Sequence, residues 1–166
     1  MPAGDNELAR NFRFEVEYSD GRYEAALELA ASMPEFYEDQ ITLHPRAAKQ
    51  ALCYAAMGDT ARARAAYEDA AALLERKVTE DASDFRLYSD LGPILAALGR
   101  RDEAIAAARR AVDLMPGSKD AEAAVQPADN LALTYAILGE YDTARRLVEE
   151  RIQARPGTLS IARMRL

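Results

Sequence analysis

A chain of 166 residues with 49% hydrophobic content is one domain's worth of sequence, with enough apolar mass for a continuous core. The formal net charge of −7, with basic and acidic residues interleaved, leaves no basic stripe for nucleic acid or an anionic membrane surface. Aromatics are 7%, tryptophan is absent and alanine dominates the apolar share, so closely packed helices are expected in place of a sheet.

In chain order, a short gapped pattern recurs four times. Residues 7–40 contain SDGRYEAALELAASMP, which keeps Gly21, Tyr23, Ala26 and Ala30 of the pattern. Residues 44–82 contain ALCYAAMGDTARARAAYEDA, with Tyr54, Gly58, Ala63, Tyr67 and Ala70. The helical pattern then runs on through Leu73, Leu74 and Val78, which predicts a second helix longer by up to two turns. Residues 85–118 carry the fullest copy, with Tyr88, Leu91, Gly92, Leu95, Gly99, Ala104, Ala108, Ala111 and Pro116 in place. GSKDAEAAVQP follows as a connector or short extra turn, and Pro127 opens or tightens the next helix. Residues 125–157 repeat the pattern through Leu131, Tyr135, Gly139, Tyr141, Ala144 and Pro156. The last stretch, 158–166, is apolar at Leu159, Ile161, Met164 and Leu166, near helical spacing. It is expected to dock on its own array or on a second copy, the latter giving a homodimer.

Each copy joins two helical segments at a glycine. Gly21, Gly58, Gly99 and Gly139 recur at intervals of 37, 41 and 40 residues, and each follows an apolar helical run where a left-handed residue ends the helix. Thr60, Asp102 and Asp142 then stand where an N-cap or a first-turn acid is favoured. The alanines let antiparallel helices approach, and Tyr54, Leu91, Leu95 and Tyr135 fill the space between successive pairs.

This pattern resembles the tetratricopeptide repeat. More narrowly, ARARAAYEDAAALLERKV, LGRRDEAIAAARRAVDLMPGSKDA and NLALTYAILGEYDTA look like the arrays appended to bacterial serine/threonine kinases, nucleotide cyclases and winged-helix regulators. The resemblance covers residues 50–166 well and residues 1–49 weakly. It implies an all-α fold, a right-handed α-solenoid of antiparallel helix pairs with about four repeats, and a protein or peptide partner held in the concave groove. It carries over no kinase or cyclase chemistry. The resemblance also leaves open that the chain is a regulatory fragment of a larger signalling protein.

Carrying the repeat register onto the chain puts Asn11, Glu15, Tyr18, Lys49, Arg86, Ser89, Asp90, Pro93, Asp129, Asn130 and Leu133 on or near the groove. Ala48, Leu52 and Asp90 stand where repeats that clamp an acidic C-terminal peptide carry Lys, Asn and Arg, so no such clamp is expected. Pro93 falls inside the first helix of the fullest copy. A proline there removes its own N–H and frees the Ser89 carbonyl, which predicts a kink and an acceptor able to serve a ligand if it faces the groove.

Catalysis finds little footing. Cys53 and His44 are the single Cys and the single His, too few for a zinc site, and no metal or cofactor is expected. Cys53 lies between Leu52 and Tyr54 in a helical run and reads as a buried thiol, while His44 precedes Pro45 at a helix start and reads as solvated or capping. Adjacent acids such as Glu149/Glu150 and Asp102/Glu103 diverge on a helix. No phosphate loop, HExxH, GxSxG or calcium loop is present, so a non-enzymatic protein is expected. The start MPAGDNELARNF lacks the basic and apolar regions of a secretory signal, and the longest apolar stretches fall short of the ~20 residues that cross a bilayer. A cytoplasmic protein is expected, without a membrane partner.

Overall fold

The computed structural model describes residues 7–154. Pro156 and the segment 158–166 lie outside the described residues. Among the described residues eight helices stand in four consecutive pairs: α1 Glu7–Ser19 with α2 Tyr23–Ala31, α3 Arg46–Ala56 with α4 Thr60–Glu80, α5 Phe85–Ala97 with α6 Arg101–Leu114, and α7 Val125–Ile137 with α8 Tyr141–Ala154. The fold is an all-α helical repeat.

Every pair turns in the same way, and the reason is local. Gly21, Gly58, Gly99 and Gly139 have φ of 76°, 78°, 78° and 80°, a region that costs a residue with a Cβ. The residue after each glycine donates its N–H back across the turn, from Arg22 to Glu17, Asp59 to Tyr54, Arg100 to Leu95 and Glu140 to Tyr135, each at 2.9 Å. These bonds satisfy carbonyls that the helix end would otherwise leave open. One capping expectation shifts by a residue: Asp59, not Thr60, caps α4, its carboxylate accepting the Arg62 N–H at 3.0 Å. Asp102 and Asp142 lie in the first turns of α6 and α8, beside the positive end of each helix.

The alanines predicted to allow close approach are the buried ones, among them Ala26, Ala30, Ala63, Ala70, Ala104, Ala108, Ala111 and Ala144. Around them Leu74, Leu87, Leu91 and Leu95 form the central core. Gly92 sits where α5, α6 and α7 meet, because a Cβ there would lie 2.8 Å from Ala108 Cβ and 3.0 Å from Thr134 Oγ1. The helix α4 has 21 residues against 14 in α6 and α8, close to the two extra turns read from Leu73, Leu74 and Val78.

Between α2 and α3 the chain makes a small antiparallel hairpin that the sequence pattern did not reveal. Its strands are β1 Phe36–Glu38 and β2 Leu43–Pro45, paired Phe36 to Pro45, Tyr37 to His44 and Glu38 to Leu43. Asp39 holds the turn, its Oδ1 accepting the N–H groups of Ile41 and Thr42 at 2.9 and 2.8 Å. Strand β2 packs on α3, α4 and α5, so the hairpin joins the second repeat to the third.

Candidate interaction surface

The left-handed glycines give a common ruler for the four first helices α1, α3, α5 and α7. Counting back from each glycine places equivalent residues side by side, and three rows matter. The row six residues before the glycine is Glu15, Leu52, Pro93 and Leu133; the row nine before is Phe12, Lys49, Asp90 and Asn130; the row ten before is Asn11, Ala48, Ser89 and Asp129.

The row nine before the glycine faces the preceding repeat. Lys49 is buried, donates to Glu15 Oε1 at 2.7 Å and stands 4.2 Å over the Phe14 ring, so its charge is met by a carboxylate and an aromatic face of the first repeat. Asp90 is buried against the His44 imidazole of the hairpin. Asn130 is buried too, its Nδ2 donating to the Ser89 carbonyl and to Ser89 Oγ, both at 3.0 Å, while Gln126 Nε2 donates to Asn130 Oδ1 at 3.2 Å.

That geometry corrects one part of the reading of Pro93, the open Ser89 carbonyl. The helix α5 runs from Phe85 to Ala97 through the proline. The Ser89 carbonyl that Pro93 cannot serve is taken by Asn130 of the next repeat, so it is not an acceptor waiting for a ligand. His44 also departs from expectation. It is neither a cap nor freely solvated, but pairs with Asp90 across the repeat junction. Burial pulls the imidazole pKa down, the Asp90 carboxylate beside it pulls it up, and the balance holds it above the ordinary histidine value. Cys53 is buried as read from the sequence, and burial pushes its thiol up to about 11, far from a reactive thiolate.

The other residues read as groove positions divide by accessibility. Glu15 and Leu133 are exposed, whereas Asn11, Tyr18, Arg86, Pro93 and Asp129 are half-buried. Arg86 bridges Asp84 at 2.7 Å and Glu38 at 3.0 Å, tying the hairpin to α5. Asp129 pairs with Arg151 of α8 at 3.0 Å, and Tyr18 stacks on Phe14 with ring centres 6.0 Å apart. Lys49, Ser89, Asp90 and Asn130 are thus taken up inside the array, and Glu15, Leu52, Pro93 and Leu133 are left as a row along the first helices. Among the described residues no group of three or more His, Cys, Asp or Glu stands together to hold a metal, and no helix is long and apolar enough to cross a membrane.

The model of the tetratricopeptide repeat family matches residues 85–117, which are α5, α6 and their flanking turns. No curated protein matches the chain. Among solved structures, a chain titled MamA AMB-1 is similar at 18% identity with a TM-score of 0.41, over 96% of this chain and 97% of that one. Residues 85–117 are thus a tetratricopeptide repeat, and its three neighbours close their helix pairs at a left-handed glycine in the same way.

Proposed function

We propose that the protein is a non-catalytic scaffold that holds an extended segment or a helix of a partner protein along the row of its first helices. The observation that carries this reading is the row Glu15, Leu52, Pro93 and Leu133. The same register position on four successive helices stays open to solvent in whole or in part, and three of the four residues are apolar. Leu52 and Leu133 are 39% and 48% exposed, while their neighbours in the rows nine and ten before the glycine are largely buried or ion-paired. A ladder of apolar side chains on rigid helices suits a partner that presents apolar residues at regular intervals. Tetratricopeptide repeats generally serve as protein-interaction modules, which fits the absence of a catalytic motif in the sequence.

The test is selection of peptides from a displayed random library on the immobilised full chain, followed by titration of the selected peptides. Peptides that bind the native protein are expected to lose at least about tenfold in affinity to Leu52→Glu, since a charge then faces the ligand's apolar groups. The outer-surface variant Arg64→Ala is expected to bind as the native protein does. No selected binder, or equal binding by Leu52→Glu, overturns the reading.

A further inference from the structure

The same ruler exposes a mismatch between the two ends of the array. Residues thirteen, nine and five before each glycine are Pro45 at the N-cap of α3 with Lys49 and Cys53 on it, Arg86, Asp90 and Ile94 on α5, and Gln126, Asn130 and Thr134 on α7. At these three junctions Pro45, Lys49, Cys53, Asp90, Ile94, Asn130 and Thr134 are buried and Arg86 and Gln126 half-buried. On α1 the same positions are Leu8, Phe12 and Val16, exposed by 50%, 62% and 55%. The first helix therefore carries the face that joins one repeat to the repeat before it, written entirely in large apolar residues, with no described repeat to cover it.

The other end carries the complementary half. On α5 the positions that receive α7 are Ser89, which takes Asn130, and Gly92, which takes Thr134 against Ala108 of α6. Their equivalents on the last pair are Asp129 and Ala132 on α7 and Val148 on α8. These three residues line one cleft between α7 and α8, together with Leu133 and Ala136. The cleft is the seat a following first helix would occupy; its apolar floor of Ala132, Leu133, Ala136 and Val148 is accompanied by the Asp129–Arg151 ion pair and by Arg145 and Glu149.

We infer that the α7/α8 cleft of one molecule receives α1 of a second copy, so that the protein stacks head to tail. The contact continues the junction already built three times within the chain: a first helix laid on the pair before it. Large apolar faces left open at solenoid ends drive such association, since end repeats need a polar outer face to stay apart. The contact is heterologous, using different surfaces on the two partners, so each added copy leaves one free head and one free tail. It shares Leu133 with the row along the first helices but uses neither Leu52 nor Pro93, so the Leu52→Glu test of partner binding does not touch it.

The experiment is light scattering of the full chain over a wide concentration range, with Phe12→Glu and Val148→Glu as variants at the two surfaces. Both residues are solvent-exposed, and thermal melting checks that each variant remains folded. The native chain is expected to rise steadily above its 18.3 kDa monomer mass as concentration increases, and each variant alone to stay at that mass. An equimolar mixture of the two variants is expected to form pairs of twice the monomer mass and to stop there, because the intact tail of one meets the intact head of the other. A native chain that stays monomeric, as it would if residues 155–166 covered the cleft, overturns the inference. So does a native mass that stops at a dimer, or a variant mixture that stays monomeric.

Discussion

At the scale of single residues, Asn130 resolves a conflict set up by Pro93. A proline inside α5 leaves the Ser89 carbonyl without its helical donor, and a buried acceptor without a partner costs about 1–3 kcal/mol. The Asn130 amide supplies the missing donor from the next repeat. Asn130→Ala is therefore expected to destabilise the protein by about 1–3 kcal/mol in urea unfolding. In a Pro93→Ala background, where residue 93 regains its N–H, the same change is expected to cost less by about 1 kcal/mol. Equal costs in the two backgrounds would mean that the asparagine does not substitute for the lost helical bond. The buried residues at the other junctions follow the same logic, since Lys49 meets Glu15 of α1 and Asp90 meets His44 of β2.

At the scale of elements, helix pairing is controlled by how little space the facing residues occupy. Gly92→Ala raises the helix propensity of α5 by roughly 1 kcal/mol. The added Cβ would stand 2.8 Å from Ala108 Cβ and 3.2 Å from Ala108 Cα, and backbone does not yield as a side-chain tip does. The net expectation is a loss of about 1–3 kcal/mol by thermal or chemical unfolding. Gly117→Ala, whose Cβ would meet nothing within 4 Å, serves as the neutral control. Much of this was legible beforehand because it is local: a left-handed glycine after an apolar run, alanines on a helical period, and the apolar continuation through Val78 that lengthens α4. The hairpin was not legible. Three-residue strands are too short to show alternation, and Phe36 and Leu43 read equally well as loop residues until the fold brings α4 and α5 beneath them. The burial of Lys49, Asp90 and Asn130 was also hidden, because each is a polar residue whose partner lies about 34 to 46 positions away.

At the scale of the whole molecule, the hairpin is tied to the third repeat by His44, which pairs with Asp90, and by Arg86, which pairs with Glu38 and donates to the Asp39 carbonyl. The first tie depends on pH. Asp90 lies beside the imidazole, Lys49 of α3 and Glu15 of α1 act on it from farther off, and the net effect in the folded protein is to raise its pKa. A raised folded pKa means that the charged tie contributes fully below the unfolded histidine value, near 6.5, and that this contribution is lost as pH rises through the folded pKa. The melting temperature of the native protein relative to His44→Gln is accordingly expected to be highest in mildly acidic buffer and to shrink on the alkaline side. Since His44 is the single histidine, an NMR titration of its ring reports the same transition directly. A difference in melting temperature that does not change between pH 5.5 and 8.5 would remove the tie from the account.

The length of α4 has a mechanical meaning beyond packing. Its extra turns carry Glu75, which meets Arg100 at the turn of the third pair at 2.9 Å, and Lys77, which lies 4.7 Å over the Phe36 ring of the hairpin. The second pair, the hairpin and the third pair are thereby cross-braced by one rod, whereas the outer pairs are each held from one side. Under tension along its length the described array is expected to yield first at its two outer pairs, with the braced middle unfolding last, an order that single-molecule force measurements check.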